Sequence, residues 1–171
     1  MKTIVVGMGN PILSDDGIGI RVARELKRRV PDADVVELGA GGIRLLDILP
    51  GFERVLIVDA MVTGEIACGK HRRFSLDELR TKTARTCNTL CVHDMDLPTA
   101  MALGRLAGID LPTEVLIWGV EAGDVETFGE TLSAPVEAAV PVVVEEMVRE
   151  LLREKAWAIS SGSISATAAR P

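Results

Sequence analysis

The chain has 171 residues, 47% of them hydrophobic, enough for one domain with its own core. A net charge of −6 with no basic block argues against nucleic acid or an anionic membrane as partner. No apolar run approaches the ~20 residues of a membrane span, and the apolar opening is broken by glycine too early for a signal peptide. The three cysteines, Cys68, Cys87 and Cys91, are an odd set and point to reduced thiols in a cytoplasm. Cys87 and Cys91 resemble half a zinc site, but no second pair completes it.

Ile4–Val6 reads as a first strand that runs into Gly7-Met8-Gly9-Asn10. From Asp16 the apolar positions Ile18, Val22, Leu26 and Val30 recur about every four residues and predict a helix stopped by Pro31. Ser14 or Asp15 is the expected cap, and Asp15 and Asp16 suit the positive end of the helix dipole. Asp34–Leu38 is a second strand, followed by a glycine cluster and a short helix carrying Leu45, Leu46 and Leu49. Arg54–Asp59 is a near-continuous apolar run of the kind buried in parallel sheets, with Asp59 as its last residue.

Lys70–Phe74 is an edge-strand candidate and Ser75–Arg80 a short helix. Leu97–Ala107 is a helix with Pro98 in its first turn and Gly108 as its stop. Glu114–Val120 is another buried strand. The last helix is expected from a Ser133 cap to about Lys155, kinked at Pro141. Strands alternating with helices predict one α/β domain, residues 1–155, with three α/β/α layers and a mostly parallel twisted sheet of about five strands. Residues 156–171 are small and polar and are expected to form a disordered tail.

Ligands of such sheets bind at the carboxyl ends of the strands. Asp16 follows the turn after the first strand, Asp59 ends the third, and His93 lies in a loop before a helix, so all three can converge there. Two carboxylates and an imidazole suit a first-row divalent metal, and equally suit acid–base chemistry. His71 has no such context and is expected on the surface. Gly7-Met8-Gly9-Asn10 invites a dinucleotide reading, but residue 12 is isoleucine where a third glycine belongs, and Pro11 interrupts the turn. Glu37 stands where that fold would place its ribose acid. No Gly-x-Ser-x-Gly elbow or His-Glu-x-x-His helix occurs, and Cys91 near His93 is a weak basis for a cysteine protease.

Gly7-x-Gly9-Asn10-x-x-x-x-Asp15-Asp16-Gly17-x-Gly19 resembles the opening of the nickel–iron hydrogenase maturation endopeptidases. Ile57-Val58-Asp59-Ala60, Val92-His93-Asp94-x-x-Leu97-Pro98 and Leu132-Ser133-x-x-Val136-Glu137-x-Ala139 follow in that family's order. The histidine loop is most similar to the branch processing coenzyme F420-reducing hydrogenase. The resemblance implies an endopeptidase that removes the C-terminal extension of a hydrogenase large-subunit precursor after nickel insertion. It also implies that Asp16, Asp59 and His93 contact the nickel, which the substrate carries. The family's acid-Gly-Thr-Gly segment is replaced here by Glu37-Leu38-Gly39-Ala40-Gly41-Gly42, so Glu37 enters as a further catalytic candidate whose carboxylate is displaced by a methylene.

The attacking oxygen is expected to be a water, activated by a carboxylate as in aspartic proteases or polarised by the metal. A cytoplasmic monomer acting on that precursor is expected. Two rivals are a nucleotide-binding module, which a tight NAD or ATP titration would favour, and a chaperone that binds the precursor without cutting it.

Overall fold

A computed structural model describes residues 1–39, 42–83 and 97–161, without the side chains of 81–83 and 154–161. Five strands, β1 (Thr3–Met8), β2 (Asp34–Leu38), β3 (Arg54–Met61), β4 (His71–Ser75) and β5 (Glu114–Glu121), form one sheet in the order β2-β1-β3-β5-β4. β1, β2, β3 and β5 are parallel, while β4 joins the β5 edge antiparallel. The expected mostly parallel five-stranded α/β sheet is present.

The helices are α1 (Ile18–Arg29), α2 (Leu45–Ile48), α3 (Leu76–Thr83), α4 (Leu97–Leu106) and α5 (Ala134–Ser161). Side chains alternate across a strand, and each face of the sheet has its own core. Val5, Leu56, Val58, Trp118 and Val120 pack with Ile18, Val22 and Leu26 of α1 and Val136, Val143 and Met147 of α5. Ile4, Val6, Met8, Val55 and Ile57 pack on the opposite face with Leu45, Leu49, Leu79 and Met101. All eight residues of β3 are buried, as its apolar run requires.

Three details differ from the sequence reading. β3 continues through Ala60 and Met61, paired with Val120 and Glu121, so Asp59 lies inside the strand rather than at its end. The 14–17 segment is a 3-10 turn, and neither it nor α1 receives a side-chain cap from Ser14 or Asp15. α5 includes Pro141 and runs to Ser161, six residues beyond the expected end. Residues 156–161 contain no glycine or proline, and Gly162 is the first breaker, so a tail starting at 156 is corrected for that stretch. Residues 162–171 lie outside the described part. Among the described residues, no helix is long and apolar enough to cross a membrane.

Charged side chains fasten α5 to the sheet. His71, which is half-buried rather than on the surface, bonds the Glu146 carboxylate, and the buried Trp118 indole donates to the same oxygen at 3.1 Å. Arg54, with a side chain only 5% exposed, pairs with Glu114 and Glu150, and Glu150 also accepts from Arg73 at 3.0 Å. Burial resists ionisation of Glu150, but the Arg54 bond, the Arg54 charge and the charges of Arg73 and Arg153 together hold its carboxyl below the usual range. A lowered folded value means that the stabilisation is present above the ordinary glutamate range and is lost as pH falls through it. Glu150→Gln is therefore expected to cost about 2 kcal/mol at pH 7, and the cost shrinks in denaturant melts as pH falls below the ordinary glutamate range.

Candidate functional site

The carboxyl ends of β1 and β3 are adjacent, and α1 begins directly above them. Gly19 permits this approach: a Cβ there would lie 2.1 Å from the Met8 carbonyl oxygen and 2.4 Å from that of Val58. The 3-10 turn before α1 packs against β3 and carries Asp15 and Asp16. Gly9, with φ +125°, bends the chain under this turn; a Cβ there would sit 1.9 Å from the Asp16 carbonyl oxygen.

Asp16 is 6% exposed, and its Oδ2 accepts the Asn10 N–H at 2.7 Å. Asp59 is 5% exposed, and its Oδ1 accepts the N–H of Ala60 at 2.9 Å. Two buried carboxylates thus come from β3 and from the turn packed against it. A buried carboxylate has the chemistry to hold a cation, a proton or a reacting water. Beside the turn is a groove of about 600 Å³, lined in part by Pro11, Ile12, Gly17, Arg21, Thr131 and Glu137.

The residue profile of the hydrogenase maturation protease family matches residues 20–150. The chain belongs to the hydrogenase maturation protease family. The Hydrogenase 2 maturation protease of Escherichia coli (strain K12) is 28% identical over 149 residues, which is 84% of this chain and 88% of that protein. The hydrogenase maturating endopeptidase HybD from E. coli matches in structure with a TM-score of 0.77 at 25% identity, covering 90% of this chain and 94% of that one. The NiFe hydrogenase maturation protease HybD from Thermococcus kodakarensis matches with a TM-score of 0.67 at 25% identity, covering 88% and 99%.

Of the expected site residues in this maturation protease, Asp16 lies in the 3-10 turn that packs against β3, and Asp59 lies in β3. His93 lies outside the described residues, as do Cys87 and Cys91. Among the described residues, no three His, Cys, Asp or Glu side chains form a metal-binding group. Glu37 is on β2, where its carboxylate pairs with Arg24 of α1 at 3.0 Å in an exposed ion pair. Such pairs contribute about 1 kcal/mol or less.

Of two further acids at this edge of the protease, Glu121 was not singled out from the sequence and Asp15 was expected only as a helix cap. Glu121, at the end of β5, accepts the Thr63 N–H and hydroxyl and the Gly64 N–H, at 2.6 to 2.8 Å, and fixes the chain leaving β3. Asp15 is fully buried and bonds the connection between β5 and α5 instead of capping α1. In that connection, Asp124 accepts from Thr127 and Glu126, which holds its exposed carboxyl below the usual range. Ser133 takes the N-cap place, its carbonyl accepting the Glu137 N–H, but its hydroxyl donates to Asp15.

Proposed function

We propose that the chain removes the C-terminal extension of a nickel–iron hydrogenase large-subunit precursor by hydrolysing one peptide bond after nickel has been inserted. The observation that carries this reading is the pair of buried carboxylates in a chain of this family, Asp16 in the turn after β1 and Asp59 in the neighbouring strand β3. Nickel held by the precursor docks against Asp16, Asp59 and His93, and so places the scissile bond. Water attacks the carbonyl carbon, the C–N bond breaks, and the leaving amine takes up a proton. A carboxylate of the site, or polarisation by the substrate's nickel, activates that water. Glu37, two strands from Asp59 and paired with Arg24, is the secondary candidate for activating it.

Three side chains from separate segments bind a free cation weakly, so the site selects precursors whose nickel is already held by thiolates. The 92–98 segment favours a coenzyme F420-reducing hydrogenase as the source of the precursor, and the enzyme acts as a cytoplasmic monomer. His93→Ala is expected to lose processing of nickel-loaded precursor by about 100-fold or more while melting like the native chain. Full processing by that variant would overturn nickel docking.

A further inference from the structure

The four-residue turn before α1 holds two adjacent acids, and only Asp16 has a place in the reading above. Asp15 is 0% exposed. Its Oδ1 accepts the Ser133 N–H at 2.7 Å. Its Oδ2 accepts the Gly123 N–H at 2.9 Å, the Asp124 N–H at 3.1 Å and the Ser133 hydroxyl at 2.9 Å. The Asp15 N–H donates to the Asp124 carbonyl at 2.9 Å. Ser14, with φ +47°, donates its N–H to the Gly129 carbonyl at 2.8 Å. A non-glycine residue in that conformation persists only where its surroundings over-determine it.

The two residues before Asp16 are thus tied to the start, the middle and the end of the 122–133 connection. Asp16 follows with little freedom left: its N–H donates to the Leu13 carbonyl at 3.0 Å and its carboxylate takes the Asn10 N–H. We propose that Asp15 is a positioning residue, which sets the direction of the Asp16 carboxylate by clamping the β5–α5 connection against the turn. Its consequence for processing rests on the reading of Asp16 as a nickel contact; its consequence for geometry does not.

A carboxylate offers acceptors only, which matches four donors. In Asp15→Asn the amide oxygen can keep the three donors at Oδ2, leaving the amide nitrogen facing the Ser133 N–H. The change is therefore local, and it is read at Asn10, whose N–H reports where the Asp16 carboxylate lies. In the full-length Asp15→Asn chain, the Asn10 amide is expected to exchange with solvent about tenfold faster or more, with its proton resonance shifted upfield. Amides of β3 and β5 keep their protection. Processing of nickel-loaded precursor falls about tenfold or more, in kcat rather than KM.

An unchanged Asn10 amide overturns the positioning role whatever the processing rate. An altered Asn10 amide with full processing upholds it and overturns instead the reading of Asp16 as a nickel contact. If Asp15→Asn does not fold, Ser133→Ala, which removes one donor of the four, is expected to shift the same amide in the same direction by a smaller amount. An unmoved Asn10 signal in that protein overturns the proposal.

Discussion

Asp59→Ala is expected to lower kcat/KM for nickel-loaded precursor by about 1,000-fold, equivalent to about 4 kcal/mol of lost transition-state stabilisation. Asp59 is a buried acid inside β3, and its Oδ1 accepts the N–H of Ala60. Asp16→Ala should lose activity to a similar degree and melt a few degrees below the native chain, because the Asn10 N–H loses its carboxylate partner. Steady-state processing assays beside calorimetric melts separate the two. Retention of activity within about tenfold in either variant would remove that carboxylate from the reaction.

Gly19→Ala is expected to destabilise the fold by about 3 kcal/mol, roughly 6–12 °C in melting temperature for a chain of this size. The added methyl would meet the carbonyl oxygens of Met8 and Val58 at 2.1 and 2.4 Å, and both belong to strand backbone inside the sheet. Neither can yield without breaking a parallel ladder, so α1 must lift. Asp16 lies only three residues before Gly19, and processing should fall with stability. Gly129→Ala is the control: nothing lies within 4 Å of a Cβ there, and its effect should stay within about 0.5 kcal/mol. A Gly19→Ala protein melting within about 2 °C of native would show that the helix can shift freely above the strands.

The sheet was legible because its central strands are uninterrupted apolar runs. Arg54 to Val58 could be assigned to a buried parallel strand on composition alone, and every residue of β3 is buried. Its extension to Met61 was hidden, because an aspartate in a strand reads as a terminus while the ladder to β5 continues past it. Asp16 and Asp59 were singled out from their expected places next to strand ends, a signal that needs no knowledge of distant contacts, and both are buried.

Asp15 was misread for the opposite reason. Its partners are backbone amides 108 to 118 residues away, and an amide carries no mark in a sequence. Local pattern offered only the helix-cap role that an acid before a helix usually has. Glu121 was missed in the same way, its partners at Thr63 and Gly64 being fixed by the sheet rather than by spacing. The end of α5 was set too early because the small residues at 156 and 158 were taken with the polar tail, although both are alanines, which favour helix.

The most direct test is intact-mass spectrometry of a large-subunit precursor incubated with the native chain, with and without nickel in the precursor. The account predicts that the nickel-loaded sample loses one C-terminal fragment, giving a single cut, while the nickel-free sample keeps its full mass. An unchanged mass in both samples despite stable binding, or equal cleavage in both, would contradict it.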